Sequence, residues 1–528
     1  MKKLADASQM KQIDGYSIDE IGIPSLVLME KAALSVALEI KKELVGHGKS
    51  DNRILAVCGV GNNGGDGVAA LRILKEWGYE GAVLLVGDEN RASEQMKVQL
   101  SIARKLLIPV IPYEGITNNH LFYQEYTIII DAIFGIGLSK EVGGIYKQVI
   151  EGMNHYCHQT GDKKPCKVYA VDIPSGIHAS SGKVMGCAIE ADVTVTFGVN
   201  KLGLVLYPGC EYAKEVVVAD IGFPEVSVEK ADINTFCYEK EDIRKLLPVR
   251  KQDSNKGTYG KVLVIGGSEN MAGACCFAAK AAYTMGAGLV KVMTEKVNQV
   301  IVQTLLPEAL LSTYEESTIL EEKETILREM QWATVIILGP GLGKKASASM
   351  LTEWVLEYAK VSVIIDADGL NLIADNGGLE RVLHMNNVIL TPHLKEMERL
   401  TGDSVCKIKE DIVAYAREKM SEAEAVLVLK DSRTVVTDGK SVYVNISGNS
   451  GMAKGGSGDV LTGIIAGLLA QKADRFLAAG LGVYLHGLAG DNVVEETSRY
   501  SLLAGDFIWG LKKELQRNER ILSDSCRD

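Results

Sequence analysis

The sequence predicts an α/β protein of two domains, each built on a mostly parallel sheet with helices on both faces. Three observations carry this. The chain has 528 residues, more than a single hydrophobic core accommodates. In both halves, short continuously apolar runs alternate with helical segments, the pattern of strands buried on both faces. These runs end in glycine turns or carboxylates, where parallel sheets bind ligands. The division falls in the charged, glycine-poor stretch 225–255, giving domains 1–228 and 229–528, with Arg250 to Lys256 as an exposed lead-in.

Composition narrows the function classes. A net charge of −11 argues against a general nucleic-acid or membrane surface. The opening MKKLADASQMKQID has no apolar run fit for a signal peptide, and no stretch of about 20 residues reads as a membrane span. The ten cysteines (58, 157, 166, 187, 210, 237, 275, 276, 406 and 526) form no CxxC and read as reduced thiols of a cytoplasmic protein. One local cluster, His155-Tyr156-Cys157-His158, has metal-ligand chemistry, but its surroundings read as a polar loop.

The first half opens with a helix over Pro24–Leu44. Met29, Ala33, Val36, Ala37, Ile40 and Leu44 share one apolar face. Ile54–Cys58 is a strand, Gly59–Gly67 (GVGNNGGDG) a glycine turn, and Val68–Trp77 a helix. Strand Ala82–Val86 and helix Arg91–Leu106 follow. Strands are then expected at Thr127–Asp131, Val168–Asp172, Val193–Phe197 and Val216–Ala219. Three polar groups collect at strand ends: Asn62-Asn63-Gly64-Gly65-Asp66, Asp131 with Phe134–Leu138, and Asp172–Gly176. GxGNNGGDG departs from GxGxxG, and amides beside a carboxylate suit hydroxyls, carboxamides or a hard cation better than bare phosphate. A lone strand-end aspartate is more often a cap. Three polar ends on one rim favour a site.

GVGNNGGDG, DAIFGIGL, DIPSGIHASSG and TFGVNKLGLVLYPG, in this order, resemble the NAD(P)H-hydrate epimerase domain family over roughly residues 5–225. The resemblance implies a Rossmann-like three-layer α/β/α fold. It also implies a potassium ion held by Asn63, Asp131 and Ser175. NADHX or NADPHX, the hydrated cofactors, would contact Asn62, Asn63, Gly64, Gly65, Asp66 and Asp172. The loop Gly135, Ile136, Gly137, Leu138, Ser139, Lys140 and Glu141 would complete the contacts, with Ile136 standing where the family commonly has Thr. Epimerisation at C6 requires water to leave and return, or the ring to open, and Asp172 suits the proton transfer.

In the second half, Lys261–Ile265 is a strand, followed by Gly266-Gly267-Ser268 and a helix from Met271 to Met285. Strands are expected at Leu289–Met293 and Thr334–Leu338, the latter before Gly339–Gly343 (GPGLG). Val363–Ile365 leads into Asp366 and Asp368, which read as caps or as magnesium holders through water. Val388–His393 ends in a histidine that, taken alone, reads as a local helix-start residue. Ala425–Lys430 and Arg433–Thr437 form a hairpin across Asp431-Ser432. The most informative stretch is Gly448–Ala470, where Gly455, Gly456, Ser457 and Gly458 turn backbone N–H groups toward one point. A helix beginning near Asp459 adds its positive end, and the whole is an anion nest. Asp459 at its mouth is either a catalytic base or an N-cap. Lys454 either adds charge near a phosphate or faces solvent. No GxxxxGK[ST] is present.

GPGLG, DADGLN, TPHxxE and GMAKGGSGDVLTG resemble the ADP/ATP-dependent NAD(P)H-hydrate dehydratase family, within the ribokinase-like superfamily, over about residues 240–515. The resemblance implies a ribokinase-like α/β/α fold. It implies hydrate contacts at Ala274, Gly341, His393 and Asp459, and ADP or AMP contacts at Lys430, Asp431, Ser432, Arg433, Thr434 and Gly458. Asp459 would be the catalytic base, with Mg²⁺ and with ADP as phosphoryl donor, ATP being the other possibility. The resemblance further implies a homo-oligomer. Two rivals stay open at this level: a ribokinase-like vitamin-precursor kinase with an accessory nucleotide-binding domain, and a nucleotide sensor with an inactive N-terminal half.

Overall fold

The computed structural model describes residues 1–44, 52–115, 126–158 and 166–524. Cys526 and the residues after His158 in the polar-loop reading lie outside the described residues. The chain divides into two compact units, Lys3–Ile233 and Asn234–Asp528, the second also taking Met1–Lys2.

The early strands are β1 (Lys2–Ala5), β2 (Arg53–Cys58), β3 (Glu80–Leu85), β4 (Val110–Pro112), β5 (Ile128–Ala132), β6 (Lys167–Val171), β7 (Val193–Phe197), β8 (Asn200–Lys201) and β9 (Glu215–Ala219). Seven form a parallel sheet in the order β4-β3-β2-β5-β6-β7-β9. Its apolar runs are continuous because both faces are covered. Ile54, Ala56 and Cys58 pack on one side with Ile128, Ile130 and Ala132 and with helices Ser25–Leu44, Asn62–Glu76 and Glu94–Lys105. Leu55, Val57 and Ile129 pack on the other with Val149, Ile150 and Met153 of helix Gly144–Cys157. Each fully buried Ile, Leu, Val or Met among them contributes about 1.5–3 kcal/mol. The order reverses direction between β2 and β5, the switch point where such sheets bind ligands.

Two expectations are corrected in this unit. Asn62–Gly67 is not a turn: the helix begins at Asn62, with Gly61 as its N-cap. The glycines serve close packing. A Cβ on Gly64 would overlap the Gly59 carbonyl, and one on Gly67 would overlap the Ala132 side chain. His155–Cys157 is not a loop but the end of helix Gly144–Cys157, with His158 as its C-cap. The buried Tyr156 hydroxyl there donates to the Tyr126 carbonyl at 3.0 Å. Among the described residues no group of three or more His, Cys, Asp or Glu is placed to hold a metal.

In the second unit the strands are β10 (Thr235–Cys237), β11 (Lys261–Ile265), β12 (Leu289–Glu295), β13 (Leu310–Tyr314), β14 (Val335–Leu338), β15 (Ser362–Ile365), β16 (Val388–Leu390), β17 (Val426–Leu429), β18 (Val435–Thr437) and β19 (Val442–Val444). They run in the order β13-β12-β11-β14-β15-β16-β17-β18-β19-β10. All neighbours are parallel except the β17-β18-β19 meander, whose first turn is the expected hairpin, with Leu429 opposite Val435. β15 stops at Ile365. Asp366 follows it, and Asp368 opens the next helix, Asp368–Asp375. The stretch Ser457–Ala470, with Asp459 as its one charged residue, is a helix buried from Val460 to Ala470. It crosses helix Ala272–Met285 so closely that a Cβ on Gly463 would overlap the Ala278 carbonyl. Among the described residues no helix is long and apolar enough to cross a membrane.

Candidate active sites

In the Lys3–Ile233 unit, a cavity of about 620 Å³ opens at the carboxyl ends of β2, β5, β6 and β7. That is the size of a small-molecule site. Of the residues singled out from sequence, Asn62, Asn63, Asp66, Gly135, Ile136, Gly137, Leu138, Ser139, Lys140 and Asp172 line it. Gly64, Gly65 and Glu141 do not. Gly64 and Gly65 lie beneath the wall, the latter against Met29, and Glu141 is exposed.

Asp172 sits just past β6 with φ +68, a left-handed backbone costly for a side chain with a Cβ. Its Oδ1 accepts from Lys201 Nζ (2.7 Å), Thr196 Oγ1 (3.1 Å) and the Phe197 amide (3.4 Å). Lys201 Nζ also donates to the Phe197 carbonyl at 2.8 Å. Lys201 is only 1 % exposed, and burial lowers its ammonium pKa against the opposing pull of Asp172. Lys201 stands within TFGVNKLG, a stretch that carries the family resemblance without assigning it a role. The available signal was a lysine set among apolar residues and glycines. Asp14, also lining the cavity, was missed outright. Burial and then Asp172 raise its carboxyl pKa.

Behind the rim lies a buried oxygen cluster. Asp131 Oδ2 accepts from the Ser175 amide (2.7 Å) and Oδ1 from Ser175 Oγ (2.5 Å), while Ser175 Oγ accepts from the Phe134 amide (2.9 Å). Burial raises the Asp131 carboxyl to about 6, and its Ser175 bonds oppose the rise. Asn63 packs against Gly135, and its Nδ2 is buried with no partner. Turned over, that amide presents an oxygen in the same place. Carboxylate, hydroxyl and amide oxygens are the donor set of a hard monovalent cation, so these residues fit potassium.

In the Asn234–Asp528 unit, the polar groups gather beyond β15, β16 and β17. Lys430 Nζ pairs with Asp366 Oδ1 at 2.7 Å, Asp366 being 2 % exposed. Burial lowers the Lys430 pKa, but Asp366 and Glu396 outweigh it and the net shift is upward. A Cβ on Gly458 would lie 3.3 Å from Lys430 Nζ and 3.6 Å from Asp366 Oδ2, so the nest faces this pair. Asp459 is not the N-cap. Gly456 holds that position with φ +88, pressed against Phe277 and Ala504, and Asp459 stands in the first helical turn. Its carboxyl has no hydrogen-bond or ion-pair partner among the described residues. Burial and then Asp366 raise it to about 7, Lys430 opposing. Ser457 Oγ lies 3.3 Å from His486 Nε2, a buried histidine stacked on Phe507 that sequence reasoning did not single out. Lys454 donates to the Tyr500 carbonyl at 2.6 Å.

Gly341 (φ +59) packs against Met271 and Ala274, so Ala274 and Gly341 meet as expected. His393 is a helix N-cap. Its Nδ1 accepts from the amides of Lys395 and Glu396, which leaves the proton on Nε2, 3.4 Å from Glu396 Oε1. Asp368 Oδ2 accepts from the Gly343 amide at 2.8 Å. In the hairpin loop, Asp431 pairs with Lys409 (3.4 Å), Arg433 donates to the Ile446 carbonyl (3.2 Å), and Thr434 donates to the Asp431 carbonyl (3.3 Å). Ser432 lies in the same loop.

Residues 262–509 match the family model described as NAD(P)H-hydrate dehydratase, and residues 25–203 match that of the YjeF-related protein N-terminus. The chain is 36% identical over 516 residues to a bifunctional NAD(P)H-hydrate repair enzyme of Moorella thermoacetica, covering 96% of this chain and 95% of the relative. It is 32% identical over 461 residues to the protein of the same description from Escherichia coli K12, covering 87% and 84%. Among solved structures, an ADP/ATP-dependent NAD(P)H-hydrate dehydratase from Bacillus subtilis, co-crystallised with ATP/Mg²⁺, aligns with a TM-score of 0.47 at 31% identity. It covers 54% of this chain and 99% of its own.

Proposed function

The chain belongs to the family of bifunctional NAD(P)H-hydrate repair enzymes, and from that premise we propose how its two units divide the repair. The unit at Lys3–Ile233 epimerises the R and S hydrates of NADH and NADPH at C6. The unit at Asn234–Asp528 dehydrates the S form at the expense of ADP, releasing AMP and phosphate. One observation supports this division above the others: each unit carries its own strand-end cluster of ionisable groups, around Asp172 in one and Asp459 in the other.

In the dehydratase, Asp459 takes the proton of the C6 hydroxyl. A carboxyl raised to about 7 is a far stronger base than an ordinary aspartate, and about half of it is ionised at neutral pH. The hydroxyl oxygen then attacks the terminal phosphoryl group of the nucleotide. Gly455–Gly458 offers its backbone amides to the phosphoryl oxygens, and Lys430 supplies positive charge beside Gly458. Phosphate leaves more readily than hydroxide, and elimination restores the nicotinamide ring. Ala274, Gly341 and His393 hold the hydrate, and the Lys430–Thr434 loop holds the adenine nucleotide. Asp366 and Asp368 fit Mg²⁺ through water, since each keeps one carboxylate oxygen without a hydrogen-bond partner among the described residues. When bound, Mg²⁺ neutralises phosphate charge.

In the epimerase, Asn63, Asp131 and Ser175 hold potassium, which supplies positive charge beside the buried Asp131 carboxyl. The cavity groups bind the hydrate, and Asp172 moves the proton. The setting is the cytoplasm, supported by the nine free cysteines among the described residues. A homo-oligomer is supported by the exposed Leu26, Val27, Leu34 and Leu38 on the outer face of helix Ser25–Leu44.

The test uses separated R and S hydrates with ADP or ATP, following the absorbance of reduced nicotinamide. The S form should be restored directly with ADP and the R form only after epimerisation. Potassium replaced by tetramethylammonium should slow the R form alone. Failure of the S form to recover with either nucleotide would sink the reading.

A further inference from the structure

The epimerase cavity holds a second carboxyl group whose surroundings are opposite to those of Asp172. Asp14, Asp66 and Asp172 line it together with two lysines. Lys140 is exposed on the rim loop, and the buried Lys201 is committed to Asp172. Asp66 lies in the second turn of helix Asn62–Glu76 and has no hydrogen-bond or ion-pair partner among the described residues. The groups facing it are Asp172, Asp14 and the buried Cys58 thiol, none of them a cation. Asp172 differs in its contacts. Its Oδ1 is engaged by three donors, one of them cationic, and only Oδ2 has no partner among the described residues.

A carboxylate with neither a hydrogen bond nor a counter-ion beside two others is unfavourable, and such a group keeps its proton. Burial, then Asp172 and Asp14, hold the Asp66 carboxyl well above the ordinary range. Two carboxyl groups in one cavity, one ion-paired and one unpaired, form the arrangement that separates an acid from a base.

We propose that Asp66 is a second catalytic group of this site, giving a proton to the departing C6 hydroxyl while Asp172 takes one from the water that returns. The assignment rests on the epimerase reading above. As the C6–O bond breaks, the hydroxyl leaves as water with the Asp66 proton, and the N1 lone pair closes an N1=C6 double bond. A water oxygen then bonds C6 from the other face, its proton passes to Asp172 Oδ2, and N1 recovers its pair. Asp66 ends ionised and Asp172 protonated, which is the state the return direction requires. No other reactant is consumed.

The test is epimerisation of separated hydrates by the full chain, without nucleotide, in both directions. Asp66→Asn should lower kcat at least about 100-fold, the size of a lost general acid. The loss should be equal in both directions, with KM within threefold of the wild type. Asp66→Glu, which keeps the acid on a longer arm, should recover at least tenfold over Asn. An Asn variant within threefold of the wild-type kcat would overturn the assignment. So would a loss carried by KM alone, or a Glu variant no better than Asn. A wild-type chain that leaves the R hydrate unconverted would instead overturn the epimerase reading itself, and this assignment with it.

Discussion

Asp459 joins catalysis to stability at one residue. A carboxyl raised to about 7 in the fold and ordinary when unfolded binds its proton more tightly in the native state. Stability therefore declines as pH rises from about 4 to about 7, while dehydration, which needs the ionised form, increases over its upper part. Asp459→Asn should abolish that acid limb and lower dehydration at least about 100-fold. It should raise the unfolding temperature at pH 8 and leave it nearly unchanged at pH 4, as calorimetry at the two pH values would reveal. Lys201 makes the opposite case. Lys201→Met leaves Asp172 in the cavity wall without its cation, which should destabilise its unit by about 3 kcal/mol. Urea denaturation would read the loss, and an unchanged midpoint would refute it.

Among the elements, glycines decide the geometry at two crossings. Gly64→Ala drives a methyl group into the Gly59 carbonyl and should destabilise by about 1–3 kcal/mol with loss of epimerisation. Gly463→Val does the same where the buried helix meets Ala278, and should lower the unfolding temperature while dehydration falls. Most of the strands expected were placed to within a residue or two, Val193–Phe197 and Lys261–Ile265 to the residue, because a continuously apolar run bounded by polar groups has few other placements, whereas β1, β4, β8, β10, β13 and β19 were not foreseen. Asn62–Gly67 was misread because glycines mark a turn locally, whereas here Gly64 makes room for the Gly59 carbonyl just past β2 and Gly67 for the Ala132 side chain of β5. The helix over Gly144–Cys157 went unseen because its polar end, read alone, looks like a loop. Residues whose role depends on distant partners, such as Lys201 against Asp172 and His486 against Ser457, have no local pattern to show. His393 shows the reverse: its capping bonds fall within three residues, and the local reading describes them.

For the whole molecule, two chemistries on one chain should be separable by mutation. A dehydratase confined to one epimer strands the other, so an Asp459→Asn chain should leave nearly all of a mixed hydrate unrepaired and an Asp172→Asn chain its R part. Combined in one tube they should restore it fully, as recovered absorbance would measure. Failure of the mixture would mean that the hydrate does not pass through solution. The crossing of helices Ala272–Met285 and Ser457–Ala470 bears on how the protein is made. The sheet beginning with β11 leaves the ribosome some two hundred residues before the helix that covers its centre, an interval of roughly tens of seconds. Until that helix emerges, the face formed by Val262, Val264, Ile337 and Ile364 has helix Ala272–Met285 on part of it and lacks the helix that completes its core. Ribosomes stalled before Gly456 should therefore carry chaperone-bound, aggregation-prone chains, and release from chaperones should coincide with emergence of the last helices.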